Sequence, residues 1–393
     1  MGEELFVLGA GLVAAAVFAR VGRRIGLPTI PLFMLAGVVL GPHTPGLELV
    51  EHPDDLALLA KVGLILLLFH LGLELSFGEL VAGGRRLLSV GAIYLALNMG
   101  TGILFGLALG WGTAEALVLA GAIGISSSAI ASKLLTELRR LANPESRLIL
   151  GIIVVEDVFL ALYLAVLQPI LGDADGVGEY LLQSGRAFAF LLGLAAVARW
   201  GSRLVGRLVD TRDDELLTVC FVGLAVGVAG LAEHLGVSDA IGAFMVGLVL
   251  AESRSRERIE RLVLPLRDTF AAMFFFWFGL TIDPSDAASV ALPVAVAVLL
   301  SLVVNVVAGL IAARIHGYGP EAAANVGLTI LGRGEFSLVL ASLAAAAGLD
   351  PRVTPFVALY VLVLAIVGPL LATRSASIVR RLPANRAQVP VRT

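Results

Sequence analysis

The sequence contains a single cysteine and few charged residues, and both shortages limit what the protein is. One cysteine, Cys220, cannot form a disulfide framework or a cysteine metal cluster. Charged residues make up only 15% of the 393 residues, while 58% are hydrophobic. The mean hydropathy is +0.95, far from the composition of soluble domains. The sequence therefore predicts an all-α polytopic membrane protein, and we expect no cofactor, no resident metal and no nucleic-acid partner.

A basic leader is also missing, because Glu3 and Glu4 precede the first apolar run where a signal peptide would be positive. We therefore expect no cleavable signal peptide. The connections between apolar runs alternate between arginine-rich and acidic, as Arg23 and Asp54 illustrate. The positive-inside rule then places the N-terminus outside and the C-terminus in the cytoplasm of a bacterial inner membrane. We predict thirteen spans, at about 5–20, 28–42, 56–73, 87–110, 114–136, 148–171, 183–206, 215–233, 238–252, 266–282, 288–313, 321–346 and 353–373.

Two stretches of the chain resemble each other. Ile30–Val39 aligns with Ile241–Leu250, and the ends of the following spans, Leu71–Ser76 and Phe278–Asp283, are also alike. The matches relate span 2 to span 9 and span 3 to span 10. An odd offset of seven spans reverses the direction through the membrane, which predicts two inverted six-helix repeats, a hallmark of transporters.

This alignment defines the expected organisation of the chain. Residues 1–373 form one transmembrane exchanger domain, and residues 374–393 form a short cytoplasmic tail. Within the domain we expect repeat one at about 5–171, a linker helix at about 183–206 and repeat two at about 215–373. The longest cytoplasmic connection, Glu252–Pro265, is expected to be an amphipathic surface linker.

Spans 5 and 12 are interrupted by glycines halfway, which predicts discontinuous helices that cross near the membrane centre. A break frees backbone carbonyls and amides, which a bilayer tolerates only around a protein-lined or wet cavity. Ser126, Ser127 and Ser128 lie at the break in span 5. Their hydroxyls either bind a small monovalent cation or bond back to their own helix, and the sequence leaves both alternatives open.

Two adjacent acids, Glu156 and Asp157, lie in an apolar stretch, about 15 Å from its start and so near the membrane centre. Each costs at least ~2.5 kcal/mol to insert at that depth, which makes a functional role the default hypothesis. Arg333 lies at the same depth in span 12 and needs a partner, for which Glu156, Asp157 and Glu335 are candidates. If one acid pairs with Arg333, the other remains available to exchange a proton for a metal cation.

Five motifs occur together in the chain: Glu156-Asp157, Ser126–Ile130, Gly242–Glu252, Phe278–Asp283 and Gly332–Phe336. In combination they resemble the monovalent cation:proton antiporter-2 family, most closely the membrane domain of potassium efflux antiporters. The resemblance implies a homodimer with a dimerisation domain and a six-helix core that moves as an elevator, and it implies that Asp157 carries the ion. Potassium efflux members have Gln-Asp where this chain has Glu156-Asp157. We expect no counterpart of their C-terminal regulatory domain, and therefore either a separate cytoplasmic regulatory subunit or no such regulation.

We therefore expect a secondary active antiporter, not an enzyme, that exchanges a monovalent cation for protons, with K⁺ favoured over Na⁺. Asp157 would hold a proton or the cation in turn, Glu156 and Arg333 would form a charge-balancing pair, and exchange would be electroneutral. An electrogenic Na⁺/H⁺ antiporter is the alternative if Glu156 titrates. An organic-anion:sodium symporter, an intramembrane aspartyl protease and a channel are more distant alternatives.

Overall fold

The computed structural model describes residues 2–24, 29–44, 49–50, 52–74, 77–171, 178, 182, 185–186, 189, 193, 211–234 and 239–381. Fifteen α-helices have both ends within these ranges. They are α1 (Gly2–Arg24), α2 (Thr29–Leu40), α3 (Ala57–Glu74), α4 (Phe77–Leu109), α5 (Thr113–Gly124), α6 (Ser128–Glu137), α7 (Pro144–Leu171), α8 (Asp214–His234), α9 (Asp239–Ala251), α10 (Arg256–Leu280), α11 (Ala287–His316), α12 (Pro320–Thr329), α13 (Glu335–Ala346), α14 (Val353–Thr373) and α15 (Ser375–Arg381).

Eight helical segments in the described ranges are long and apolar enough to cross a membrane. The prediction of an all-helical polytopic membrane protein is confirmed. The predicted linker helix at 183–206 falls almost entirely outside the described residues. The eight segments are Leu5–Arg24, Pro53–Glu74, Gly84–Leu109, Pro144–Leu171, Asp214–His234, Arg256–Leu280, Pro284–His316 and Val353–Thr373.

The described helices pack as two bundles. Helices α4–α7 and α11–α14 pack mainly against one another, and we call this group the core bundle. Helices α1–α3 and α8–α10 form a second group, the scaffold bundle. The two groups meet along a thin seam, where α7 contacts α9 and α14 contacts α2. Each bundle thus takes consecutive helices from both halves of the chain.

Both predicted breaks are present. The chain is non-helical at 125–127, between α5 and α6, and again at 330–334, between α12 and α13. The two breaks touch, because the Ser127 amide donates a hydrogen bond of 3.0 Å to the Gly332 carbonyl. Gly334 makes this approach possible, since a Cβ there would lie only 2.5 Å from the Ser127 Oγ. The discontinuous helices therefore cross inside the core bundle.

One predicted connection is wrong. The segment Glu252–Pro265 was expected to be a surface linker, but α10 already begins at Arg256 and continues unbroken to Leu280. Ile259 and Val263, four residues apart on one helix face, are both fully buried. The amphipathic pattern that suggested a linker is the buried and exposed faces of this longer helix. The C-terminal tail begins with the short helix α15.

Candidate functional site

Glu156 lies inside the core bundle on α7 and faces the break between α5 and α6. Its carboxylate Oε2 accepts a hydrogen bond of 3.0 Å from the Ser126 amide and a second hydrogen bond from the Ser126 hydroxyl. Its Oε1 has no hydrogen-bond partner among the described residues, and the side chain is completely buried. Ser126 lies two residues before α6, so the carboxylate sits near the positive end of a half-helix, where negative charge is stabilised.

Arg333 is also completely buried, and it lies at the negative ends of two other half-helices. Its Nε donates to the Ile123 carbonyl at 2.8 Å, in the last turn of α5. Its NH1 donates to the carbonyls of Ile330 at 2.9 Å and Leu331 at 3.2 Å, just after α12. These carbonyls have lost their partners because the helices end there. The guanidinium therefore neutralises two helix ends at once.

Glu156 and Arg333, the predicted charge-balancing pair, do not bind each other directly, and their role as a pair stays a prediction. Among the described side chains neither residue contacts the other, and the two charges interact only through electrostatic attraction across the site. The physical reason is that the broken helices supply partners of their own, amides for the acid and carbonyls for the base. The side chain of Glu335, the other proposed charge-balancing residue, lies outside the described part of the structure.

A network of buried asparagine side chains accepts the fourth hydrogen bond that Arg333 donates. Its NH2 donates to the Asn98 Oδ1 at 3.1 Å, and the Asn305 Nδ2 donates to the same oxygen at 3.0 Å. Tyr94 donates its hydroxyl proton to the Asn305 Oδ1. The two asparagines therefore bond between helices, and Asn98 positions Arg333, a role that the sequence analysis did not identify.

Asp157 points in a different direction from its neighbour, because adjacent residues on a helix face about 100° apart. It lines a small cavity of about 10 Å³ on the seam between the two bundles, a volume close to that of a single water site. The other walls of this cavity are apolar side chains from α3, α7 and α9. They are Leu68, Leu71, Leu160, Leu164, Ile241 and Phe244.

A much larger cavity of about 560 Å³, the vestibule, reaches the same region from one end of the molecule. Charged residues from the end of α1 and the first half of α10 line it, among them Arg23, Glu260 and Arg267. Its inner wall includes Ser128 at the start of α6 and Phe336 at the start of α13. The vestibule therefore leads from an arginine-bearing surface to the crossing of the broken helices.

The three serines at the break occupy different environments. Ser126 binds Glu156, as described above. The Ser127 Oγ accepts a hydrogen bond of 3.3 Å from the Ile130 amide, which is the helix-bonding alternative that the sequence left open. Ser128 is half-buried and lines the vestibule. Of the three, Ser128 is therefore the one placed to meet an ion that arrives through this vestibule.

The opposite end of the core bundle is held by a polar cluster outside the membrane-spanning segments. The Asp350 amide donates to the Glu115 Oε1 at 3.2 Å, which joins the α13–α14 connection to the start of α5. The hydrogen bond from Arg352 lowers the pKa of Asp350 below its ordinary value. The Arg352 guanidinium in turn lies 4.9 Å from the centre of the Trp111 ring, a cation–π contact. These contacts tie both halves of the core bundle together at that end.

Comparison with known proteins identifies the family to which this architecture belongs. Residues 12–373 match the family described as sodium/hydrogen exchanger, transmembrane. The chain belongs to this family. The resemblance drawn from the motifs is thereby confirmed, and the chain is a multi-pass membrane cation:proton antiporter rather than an enzyme.

Two relatives are similar over almost their full length. The K⁺/H⁺ antiporter subunit KhtU of Bacillus subtilis is 42% identical over 388 residues, which cover 97% of this chain and 96% of that protein. The ammonium/H⁺ antiporter subunit AmhT of Alkalihalophilus pseudofirmus is 30% identical over 392 residues, which cover 99% and 97%.

A solved structure has the same fold. The sodium proton antiporter MjNhaP1 of Methanocaldococcus jannaschii superimposes with a TM-score of 0.71, covering 97% of this chain and 99% of that one. The sequences are only 14% identical, so this likeness concerns the fold alone.

Proposed function

We propose that the protein exchanges K⁺ for H⁺, one for one, and that Asp157 carries either ion in turn. The observation that supports this most is the different placement of the two adjacent acids. Glu156 is tied to Ser126 inside the core bundle, whereas Asp157 lies on the seam between the bundles. A group on the seam can be presented to either side of the membrane by a relative movement of the bundles.

A single exchangeable acid is the basis for the proposed electroneutrality. Complete burial favours the neutral form of Glu156, whereas the Ser126 amide and hydroxyl and the field of Arg333 favour the ionised form. The proposal takes these contacts, together with the start of α6, to outweigh the burial and keep Glu156 ionised throughout the cycle. Arg333 is permanently charged. Within the described site only Asp157 then changes its protonation state during the cycle, so one proton leaves for each cation that binds. If Glu156 also titrated, the exchange would be electrogenic.

K⁺ is proposed over Na⁺ on the similarity to a K⁺/H⁺ antiporter subunit at 42% identity. Na⁺ remains the alternative, since the structural likeness is to a sodium proton antiporter. Among the serines we propose that Ser128 supplies a cation ligand from the vestibule wall, with Ser126 and Ser127 shaping the break. An organic-anion symporter is disfavoured, because Arg333 is fully buried and its donors are bound to backbone carbonyls and Asn98.

The transport cycle proposed here is an elevator, in which the core bundle moves against the scaffold bundle. Three observations support it. The seam is thin, the broken helices are confined to the core bundle, and each bundle contains helices from both halves of the chain. We also propose two inverted repeats, at about 5–171 and 215–373, and thirteen spans including the linker helix at about 183–206, within a single exchanger domain of residues 1–373. The presence of helices from both halves of the chain in each bundle supports the repeats. The vestibule, which is lined by Arg23 and Arg267 together with acidic residues, would then open to the cytoplasm of a bacterial inner membrane, with the N-terminus outside and the tail of residues 374–393 inside.

Two kinds of protein partner are proposed. A homodimer is supported by the exposed apolar face of α1, with Leu5, Phe6 and Val13 each more than 60% exposed, because such a face must meet lipid or a second copy. A separate cytoplasmic regulatory subunit is supported by the names of the two relatives, each of which is called an antiporter subunit.

Proteoliposomes that hold the purified protein and an acidic lumen test the proposed exchange. Adding K⁺ outside should collapse the pH gradient in a saturable manner, and Na⁺ should do so only at higher concentration. The apparent affinity for K⁺ should weaken as the pH falls, because protons compete with the cation for the same carboxylate. A collapse that Na⁺ drives at lower concentration than K⁺ would reverse the ion assignment, and no cation dependence would contradict antiport.

A further inference from the structure

Leu71 has a position that no other described lining residue shares. It lines the vestibule, and it also lines the small cavity that contains Asp157. Asp157 itself does not line the vestibule. The Leu71 side chain, which is 5% exposed, therefore stands between the large cavity and the acid.

The backbone around Leu71 is held tightly in the scaffold bundle. A Cβ at the next residue, Gly72, would lie 2.0 Å from the Phe244 carbonyl oxygen and 3.0 Å from the Gly247 Cα. The backbones of α3 and α9 are thus in direct contact at this level, which only glycine permits. Phe244, on the other side of this contact, lines the Asp157 cavity as well. The leucine is consequently fixed to the scaffold and has little freedom to move aside by a backbone shift.

An apolar side chain at this place obstructs a hydrated ion. A cation that leaves the vestibule for Asp157 must pass a hydrocarbon surface that offers no ligand, which is costly until the carboxylate replaces the lost water. Leu71 belongs to the scaffold bundle and Asp157 to the core bundle, so movement of one bundle past the other changes their separation.

We propose that Leu71 is the hydrophobic gate between the vestibule and Asp157, and that it controls access of the cation to the acid. This inference rests on the proposed role of Asp157 and adds to it the residue that closes the site. The gate is a fixed part of the scaffold, and Asp157 passes it when the core bundle moves. Leu68 provides a matched control, because it lies one turn earlier on α3 and lines the Asp157 cavity but not the vestibule.

Thiol modification of a cysteine at position 157 tests the gate without requiring transport. Cys220 is the only cysteine in the sequence, so the Cys220→Ala, Asp157→Cys protein carries one reporter thiol. In inside-out vesicles, adding Leu71→Ala should speed its reaction with a membrane-impermeant thiol reagent by about tenfold or more, and adding Leu68→Ala should change it by less than about twofold. Equal rates for the two alanine variants, or no acceleration by Leu71→Ala, would overturn the proposal.

A second variant in the otherwise unchanged protein keeps the test independent of how Leu71→Ala folds. Leu71→Phe adds bulk at the gate and should slow K⁺-driven collapse of the pH gradient by about tenfold, while Leu68→Phe should have a smaller effect. Equal slowing by both would count against the gate. If the labelling result is as expected but Asp157→Asn still exchanges, the gate stands and the carrier assignment fails, so the two ideas are separable.

Discussion

Replacing Asp157 by asparagine should abolish exchange and leave the fold intact. An amide has nearly the shape of the carboxylate but has no proton to release and no charge to attract a cation. The rate of K⁺-driven collapse of the pH gradient should therefore fall by about 100-fold or more. Because the amide has nearly the same size as the carboxylate, the substitution creates no new void in the cavity of about 10 Å³ on the bundle seam. The thermal unfolding temperature in detergent should therefore stay close to that of the wild type.

Ser128→Ala is the matched comparison for this variant. Ser128 lines the vestibule, and loss of one neutral ligand should raise the K⁺ concentration for half-maximal rate while the maximal rate is largely kept. A protein with Asp157→Asn that still exchanges at the wild-type rate would show that another group carries the ions. Unchanged K⁺ dependence in Ser128→Ala would remove that serine from the cation site.

Replacing Arg333 by leucine should destabilise the protein more than any surface arginine substitution. The guanidinium makes four buried hydrogen bonds, three of them to carbonyls at the ends of α5 and α12. Without it those helix ends keep their negative character inside the membrane with no compensating donor. We expect a loss of about 3–5 kcal/mol, the range found when one partner of a buried charged contact is removed.

Thermal unfolding in detergent measures this loss. The unfolding temperature of Arg333→Leu should fall by roughly 5 °C or more. Arg261→Leu is the control, because that side chain is 70% exposed and its ion pair with Asp214 is long, at 3.8 Å, so its loss should matter little. An Arg333→Leu protein that unfolds at the wild-type temperature would mean that the helix ends do not depend on the guanidinium.

The sequence predicted well the features that depend on which residue type occupies a position. Glycines in the middle of spans 5 and 12 predicted both helix breaks, and the breaks are found at 125–127 and 330–334. The adjacent pair Glu156-Asp157 and the isolated Arg333 marked the buried site, because charge in an apolar run is costly.

The features that sequence reasoning missed depend on the backbone or on packing. The partners of Arg333 are carbonyls, which every residue has, so no pattern of side chains points to them. Glu156 and Asp157 have different surroundings because one faces the core bundle and the other faces the seam, which depends on how the two bundles pack around α7. The gate position of Leu71 follows from the packing of α3 against α9, and in the sequence it is one leucine among many.

The steady-state pH gradient of proteoliposomes under an imposed membrane potential tests the central claim most directly. At a fixed K⁺ gradient, a carrier whose sole exchangeable acid is Asp157 moves no net charge, so the pH gradient should be the same at every imposed voltage. A pH gradient that follows the voltage would show that more than one proton moves for each cation. It would mean that Glu156 titrates despite its hydrogen bonds to Ser126, and it would contradict one-for-one exchange.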